Sequence, residues 1–317
     1  MSYLNRRMLS ALAVGAASVL ALAGCGESAD SAASTTAGGN GGTLVMAAVP
    51  SENATDLKAA YQPLIKLLEK ETGKKIELQN ATDYAAVIEG QRSGKVQIAA
   101  YGPFSYVQAV SSGVKATPVA AGITAKGAQP GYKSYGIVKT GSSIKDLKGF
   151  KGKKVCFVDP NSTSGYLYPR AGLLDAGINP DKDITSVMAG GHDASVLAVK
   201  SGQCDAGFAY DTMVDKQLIE KGQLKKGEIT TVWKSPVIPG SPVAISDDLD
   251  AGLKKTLTDV FQNKANADYL KAHGYCTGSA CEVDDSGDWG FAPVTDSTYD
   301  GVRKVCDVTK DKQCVAS

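Results

Sequence analysis

Short apolar runs alternate with segments of helical periodicity along most of this chain. Residues 43–49 form an apolar run bounded by glycine and proline, which predicts a buried strand. The next segment repeats apolar side chains at helical spacing as far as Leu68 and stops at Gly73, which predicts a helix. Pro63 lies within that helix and is expected to bend it or break it locally.

The same pair of patterns, a buried run followed by an amphipathic helix, recurs further along the chain. Further strands are predicted at 75–78, 96–101, 154–158, 185–189 and 204–210, and further helices over 84–91, 103–110, 164–175, 192–200 and 212–221. This alternating order predicts an α/β protein with a mostly parallel sheet that is covered by helices on both faces.

Two extended stretches divide the pattern, and we interpret them as crossings between two lobes. They are residues 132–138 and residues 231–239, and the prolines of the second stretch fit the edge of a sheet but not a helix. The expected organisation has a first part of lobe 1 over 43–135, lobe 2 over 136–237, and a return to lobe 1 over 238–317 that ends in a cysteine-rich C-terminal elaboration.

The N-terminal segment has the features of an export signal. Arg6 and Arg7 precede an apolar, alanine-rich run over 8–22 that is too short to cross a bilayer comfortably. The run ends in Leu-Ala-Gly before Cys25, which resembles a bacterial lipobox, whose cysteine is lipidated. The alternative is an ordinary signal peptide with an incidental cysteine. We interpret residues 1–24 as a lipoprotein signal peptide and expect an extracytoplasmic protein, lipid-anchored to the cell membrane through Cys25.

Composition limits the remaining possibilities. Residues 25–42 are rich in small and polar side chains and predict a flexible tether. The whole chain is 43% hydrophobic and 21% charged, as is typical of a folded protein. Lys and Arg (34) nearly balance Asp and Glu (33), which argues against a nucleic-acid partner. We expect a monomer that uses no cofactor.

The cysteines after Cys25 are even in number, and outside the cytoplasm an even number suggests disulfides. Buried free thiols or a metal site are the alternatives, but no CxxC pair is present and the chain has only 2 histidines. We therefore expect no metal. Six cysteines allow about 15 pairings. Among these we favour Cys156–Cys204, Cys276–Cys281 and Cys306–Cys314.

Hydroxyl side chains are concentrated where a predicted strand passes into a predicted helix. Ser162, Thr163 and Ser164 follow Asp159-Pro160 and precede the apolar positions of the helix. The first turn of a helix has unpaired amides and a positive dipole end, which together favour an anion. A plain helix cap with spare serines is the alternative.

A histidine occupies a second junction of the same kind. His192 follows two glycines between a predicted strand and a predicted helix. In an open α/β sheet ligands bind at the carboxyl ends of the strands, where this junction lies. The alternative is a buried histidine with a purely structural role. We favour His192 as a hydrogen-bond donor to a ligand.

With these segments in view, the chain resembles the phosphate/phosphite/phosphonate-binding proteins of ABC transporters, the PhnD-like family. The likeness extends from Thr43 to about Lys271. It implies a type II periplasmic-binding-protein fold, with two α/β lobes, a ligand cleft between them and a two-strand hinge. The matching segments are Asp83-Tyr84-Ala85 with Gly90 and Arg92, Ala100-Tyr101-Gly102, Pro130-Gly131-Tyr132, Asp159 to Gly165, Ala189 to His192, and Trp233 to Gly240.

The resemblance also implies which residues bind the ligand. It implies oxyanion contacts from Ser162, Thr163, Ser164, His192, Tyr84 and Tyr132, with Tyr101, Asp211, Thr212 and Ser241 close behind them. These side chains and the helix amides are hydrogen-bond donors suited to a tetrahedral anion.

One departure from the family bears on the choice of ligand. Members that bind aminoalkylphosphonates carry acidic residues where this chain has Thr212 and Ser241, although Asp211 is adjacent and could substitute. An unpaired buried ammonium group is costly. We therefore expect phosphite, methylphosphonate or phosphate to be favoured over 2-aminoethylphosphonate.

The implied function is that of a solute-binding lipoprotein that delivers a small phosphorus oxyanion to the membrane permease of an ABC importer. The cleft is expected to close on the ligand by a hinge motion. A binding protein for a sulfonate or an organic acid is an alternative. A secreted hydrolase using Ser162 or Ser164 with His192 is a weaker one, since the chain has no G-x-S-x-G motif. We expect no enzymatic activity.

Overall fold

The computed structural model describes residues 42–277 and 281–314. The predicted signal peptide, Cys25 and nearly all of the predicted tether lie outside the described residues. Within the described ranges, no helix combines the length and the apolar character needed to span a membrane.

The strands and helices follow the predicted order closely. The strands are β1 (Thr43–Ala48), β2 (Lys75–Asn80), β3 (Ile98–Ala100), β4 (Ala116–Ile123), β5 (Gly131–Tyr132), β6 (Ser134–Lys139), β7 (Lys154–Phe157), β8 (Thr185–Met188), β9 (Ala206–Tyr210), β10 (Ile229–Lys234), β11 (Ile238–Pro239), β12 (Pro242–Ser246) and β13 (Gly290–Pro293). The α-helices are α1 (Ala54–Thr72), α2 (Tyr84–Arg92), α3 (Pro103–Ser111), α4 (Tyr168–Asp175), α5 (His192–Ser201), α6 (Leu218–Glu220), α7 (Ala251–Asp259), α8 (Ala267–Ala272) and α9 (Asp300–Thr309).

The chain also forms several shorter helical turns. Single π-helical turns at Thr163–Leu167, Met213–Gln217 and Val260–Lys264 adjoin α4, α6 and α7, and 3₁₀ turns form at Leu147–Phe150, Asp296–Tyr299 and Lys312–Cys314. Helix α1 continues through Pro63, so the local break expected there does not occur. Proline removes one hydrogen bond from this long helix, while the buried apolar side chains on one face hold it to the sheet.

Two separate sheets form the framework of the two lobes. The first has the strand order β13-β4-β12-β3-β1-β2 and the second has the order β10-β6-β9-β7-β8. The chain passes from the first sheet to the second between β4 and β6, and it returns between β10 and β12. At these crossings β5 and β11 pair with each other as a two-residue antiparallel ladder.

The expectation of mostly parallel strands is wrong. In the first sheet β1 is parallel to β2 and β3, but β12 is antiparallel to β3 and β4, and β13 is antiparallel to β4. In the second sheet β6 is antiparallel to both β9 and β10. The physical reason is the route of the chain, because the strands next to the crossings enter each sheet in the opposite direction.

Both faces of the first sheet are buried, as the apolar runs predict. Successive side chains of a strand point to opposite faces. Leu44, Met46 and Ala48 pack on one face with α1 and α7. Ala47 packs on the other face with α2 and α3. The strands therefore have almost continuous apolar sequences, which fits a sheet covered on both sides.

The C-terminal segment contacts both lobes, which the sequence does not predict. Helix α9 packs against α3 of the first lobe and against α4 of the second. Beyond α9, the buried carboxylate of Asp311 forms an ion pair of 2.6 Å with Arg170 Nε in α4. The structure joins the cysteines in the three pairs that we favoured, Cys156–Cys204, Cys276–Cys281 and Cys306–Cys314.

Candidate functional site

A cavity of about 110 Å³ lies between the two lobes, next to the crossing ladder. The structure brings every candidate binding residue to its wall, although these residues come from distant parts of the sequence. The candidates that line it are Tyr84, Tyr101, Tyr132, Ser162, Thr163, Ser164, His192, Asp211, Thr212 and Ser241.

The turn that carries the three hydroxyl residues is held in place by local hydrogen bonds. Asp159 accepts from the amide of Asn161 through Oδ1 (2.7 Å) and from the amide of Ser162 through its carbonyl oxygen (2.9 Å). Ser162 Oγ accepts from the amide of Gly165 (3.0 Å). A Cβ atom at Gly165 would overlap the side chain of Val158, so glycine permits the helix to begin this close to the strand.

This turn presents several donors to the cavity. The first amides of a helix, here those of Thr163 and Ser164, have no intrahelical acceptor. Thr163 Oγ1 accepts from the amide of Phe104 (2.8 Å), which leaves the hydroxyl hydrogen of Thr163 available. These three hydroxyl side chains are almost completely buried, with 1% to 2% of their surface exposed.

Two tyrosines complete the hydroxyl side of the cavity. Tyr84 contacts the side chain of Ser162, and Tyr132 contacts those of Ser164, Thr163 and Ser241. Burial raises the pKa of both phenols far above the ordinary value of 10.0. Both groups therefore stay neutral at physiological pH and can donate to an anion.

His192 has one ring nitrogen available for a ligand. Its Nδ1 accepts from the amide of Tyr210 (3.2 Å), so the proton of the neutral ring lies on Nε2. Within the described residues, no acceptor pairs with Nε2. Burial lowers the pKa of His192 to about 3, which keeps the ring neutral. His192 thus faces the cavity as a neutral donor.

The first backbone amide of the second helix start is not free. The amide of His192 donates to the carbonyl oxygen of Ser51 in the first lobe (2.7 Å). At this junction the imidazole donor takes the place of the backbone donor. Across the described part of the chain, His192 has no hydrogen bond to Ser162 or Ser164, so the pairing that a serine hydrolase requires is absent there.

Two of the candidates behind the contact residues have other partners. Tyr101 donates its phenol hydrogen to Gln91 Oε1 (2.9 Å), so it contributes a wall and not a donor. Asp211 accepts from the amides of Lys133 (3.1 Å) and Thr212 (3.0 Å) and thereby fixes the crossing. Asp211 also lines the cavity, so the suggestion that it substitutes as a partner for a ligand cation stays a prediction.

The cavity has an acidic wall that sequence reasoning missed. Asp284, Asp285 and Asp288 line it, and all three lie beyond Lys271, where the likeness expected from the sequence ends. The missed signal is the sequence Glu-Val-Asp-Asp-Ser-Gly-Asp directly before β13, where charge is concentrated beside a buried strand. The premise that no free carboxylate faces the ligand is thus wrong, while the ligand preference drawn from it stays a prediction.

The acidic wall is held by hydrogen bonds from its surroundings. Asp285 accepts from the hydroxyl of Tyr61 (2.8 Å) and from that of Ser51. Asp284 Oδ1 accepts from the amides of Ser286 (3.0 Å) and Asp288 (3.2 Å). Burial raises the pKa of all three aspartates, in the case of Asp288 to about 7. Ser51, Tyr61 and Tyr210 also line the cavity and were likewise missed.

The lobes are in contact across the mouth of the cavity. The acidic segment reaches the second lobe through Gln217 Nε2, which donates to the carbonyl oxygen of Asp285 (2.9 Å), and through the ion pair of Lys216 with Glu282 (2.9 Å). Lys221 pairs with Glu52 on the same side. Together with the bond between His192 and Ser51, these contacts define a closed arrangement.

The family model of the periplasmic substrate-binding proteins of phosphonate ABC transporters matches residues 46–299. The chain belongs to this family. The family consists of binding components of transport systems, and its periplasmic location implies an extracytoplasmic protein.

Relatives support the same assignment. The chain is 50% identical over 311 residues to the phosphate-import protein PhnD of Mycolicibacterium smegmatis, which covers 96% of this chain and 97% of that protein. It is 32% identical over 228 residues to the phosphonates-binding periplasmic protein of Escherichia coli, covering 71% and 67%.

Solved structures confirm the predicted fold class. The binding component of a phosphonate ABC transporter from Pseudomonas aeruginosa superimposes with a TM-score of 0.74 at 27% identity, covering 84% of this chain and 86% of that one. The type II periplasmic-binding-protein fold, with two α/β lobes and a cleft between them, is therefore that of this chain. Among the described residues, no group of three or more His, Cys, Asp or Glu is suited to a metal ion.

Proposed function

We propose that this protein is the lipid-anchored solute-binding component of an ABC importer and that it captures a small phosphorus oxyanion. The observation that carries the proposal is the set of neutral donors around one cavity. The turn at Ser162–Ser164, the imidazole of His192 and the phenols of Tyr84 and Tyr132 all reach it. Hydrogen bonds to a charged acceptor are each worth about 1.5–3 kcal/mol, so several together support specific binding.

The size of the cavity favours a small ligand. Its volume is about 110 Å³, on a scale on which one water molecule needs at least about 10–15 Å³. A tetrahedral ion such as phosphate, phosphite or methylphosphonate suits such a space. The relative that is 50% identical along nearly the whole chain is a phosphate-import protein, which supports phosphate as a ligand. We propose that these ligands are preferred to 2-aminoethylphosphonate because they are smaller.

Capture occurs by a hinge motion. Each crossing contributes only two residues to the β5–β11 ladder, so small rotations there change the angle between the lobes. In the open form the Ser162–Ser164 turn is accessible to solvent. The anion docks on this turn, and closure brings the tyrosines and the acidic wall around it.

A ligand panel tests this function. The purified protein is titrated by calorimetry with phosphate, phosphite, methylphosphonate, 2-aminoethylphosphonate and sulfate, and thermal unfolding is followed in parallel. A ligand at 100 times its Kd stabilises the folded state by about 2.7 kcal/mol. We expect this response for at least one of the three small phosphorus oxyanions. The absence of binding by all the phosphorus compounds would refute the proposal.

The membrane attachment is tested separately. We propose that Cys25 is lipidated after removal of residues 1–24 and that residues 25–42 connect the anchor to the binding domain. The expected result is a membrane-bound protein whose Cys25→Ala variant appears in the soluble extracytoplasmic fraction. Mass spectrometry of the mature N-terminus checks the modification directly. We also propose that the binding domain acts as a monomer that docks on the permease, which light scattering and co-purification test.

A further inference from the structure

The acidic wall presents an electrostatic problem for a site that binds an anion. Asp284, Asp285 and Asp288 line the same cavity as the hydroxyl side chains and His192. Two negative charges about 4 Å apart repel by several kcal/mol where the surroundings are less polar than water. A ligand that offers only acceptor oxygens would therefore be disfavoured beside whichever of these carboxylates is ionised.

Asp285 is connected by hydrogen bonds to the lobe that carries His192. Its carbonyl oxygen accepts from Gln217 Nε2 (2.9 Å), and Gln217 Oε1 accepts from the phenol of Tyr210 (2.8 Å). The ring of Tyr210 lies 4.5 Å from that of His192. Asp285 is therefore held on the cavity wall beside the tyrosine that packs against His192.

The orientation of Asp285 is fixed without using all of its capacity to accept hydrogen bonds. The hydroxyl of Tyr61 donates to Oδ1 and that of Ser51 to Oδ2. A carboxylate has about four lone-pair positions, so capacity to accept a further hydrogen bond is still available. The two hydroxyls stabilise the charge and direct it without neutralising it.

A second, independent observation shows that this cavity is built for a ligand. His192 is only 3% exposed. Its Nε2 has no acceptor among the residues that the structure describes, although its Nδ1 is paired. Because His192 lines the cavity, a ligand there can accept a hydrogen bond from Nε2. The cavity thus has an unpaired donor on one side and a carboxylate acceptor on the other.

We propose that Asp285 determines specificity by accepting a hydrogen bond from the ligand itself. The ligand is then a tetrahedral oxyanion that also carries a donor, either a protonated oxygen or an ammonium group. This inference rests on the proposed function and adds the requirement for a donor. Sulfate has the same shape and carries no proton at neutral pH, so the site rejects it.

The test compares phosphate and sulfate in matched variants. Asp285→Asn keeps the size of the side chain and removes its charge. Glu282→Gln is the control, because it removes one negative charge from the same segment at a residue that pairs with Lys216 outside the cavity wall. In the wild type and the control we expect phosphate to bind at least about 100-fold more tightly than sulfate. In Asp285→Asn we expect this ratio to fall at least about tenfold.

Further variants keep the test decisive. If Asp285→Asn fails to fold, Tyr61→Phe serves in its place, because it removes one hydroxyl that orients the carboxylate and should lower the ratio by a smaller factor. 2-Aminoethylphosphonate distinguishes the two sources of the donor. If 2-aminoethylphosphonate binds more tightly than phosphate, and loses this advantage only in Asp285→Asn, the donor is the ammonium group. If it binds more weakly than phosphate, the donor is the protonated oxygen.

The outcomes separate this inference from the proposed function. An unchanged ratio of phosphate to sulfate affinity in Asp285→Asn, while both the wild type and the variant bind phosphate, would overturn the inference and leave the function intact. Failure of the wild type to bind any phosphorus oxyanion would overturn the function first.

Discussion

Replacement of His192 by alanine separates binding from folding. In the structure the ring uses Nδ1 to satisfy the amide of Tyr210 and faces the cavity with Nε2. Loss of one hydrogen bond to a charged ligand costs about 1.5–3 kcal/mol, which corresponds to a roughly 10- to 150-fold higher Kd. Loss of the acceptor for a buried amide destabilises the ligand-free protein by a further 1–3 kcal/mol, roughly.

The two effects are measured on the same protein. Calorimetric titration with phosphate gives the Kd, and urea unfolding without ligand gives the free energy of unfolding. The exposed His273 provides the control, because within the described residues its ring bonds only to the carbonyl oxygen of Tyr269 and does not line the cavity. His273→Ala should change neither quantity appreciably. A His192→Ala protein that binds phosphate within twofold of the wild type would remove His192 from the site.

Three further predictions concern pH, the binding turn and the C-terminal segment. Burial lowers the pKa of His192 from 6.5 to about 3, so between these values the unfolded state binds more protons than the folded state. The contribution of His192 to stability is therefore full above pH 6.5 and falls by about 1.4 kcal/mol per pH unit below it. The difference in unfolding free energy between wild type and His192→Ala should shrink on acidification, and a constant difference would contradict this. Gly165→Ala should destabilise the protein by about 1–3 kcal/mol and weaken phosphate binding, because the new Cβ overlaps the side chain of Val158. Gly301→Ala is the control, because a Cβ there meets no neighbour within 4 Å, and it should have neither effect in denaturation and titration. Asp311→Asn should lower the free energy of unfolding in urea by about 3 kcal/mol, the lower end for a buried ion pair, because Asp181 still contacts the guanidinium of Arg170. Asp181→Asn, on the exposed side of Arg170, should lower it by less than about 1 kcal/mol. Equal effects of the two variants would refute the distinction.

The parts of the fold that the sequence predicts are those encoded locally. The apolar run around Met46 and the periodic helix that ends at Gly73 each produce the expected element, since burial and helix termination depend on neighbouring residues. The direction of β12 depends on the route of the chain through the other lobe, and no local pattern records it. For this reason the sheets are mixed where parallel sheets were expected.

The candidate site divides in the same way. The turn at Ser162–Ser164 and the junction at His192 were recognisable because hydroxyls and glycines follow strands there. Asp285 was not, because it lies in an irregular segment whose position in the cleft is set by contacts with distant residues such as Tyr61 and Gln217.

The contacts across the mouth of the cavity also bear on the energetics of closure. The ion pair of Lys216 with Glu282 and the hydrogen bond of Gln217 with Asp285 join the lobes directly. These contacts lower the free energy of the closed conformation by the same amount with and without bound ligand. A larger fraction of the ligand-free molecules is then in the closed conformation. Less of the binding free energy is needed for closure, and the apparent affinity rises. In the proposed hinge motion the same bonds must break before the ligand is released, so the rate of release depends on them as well as on the oxyanion.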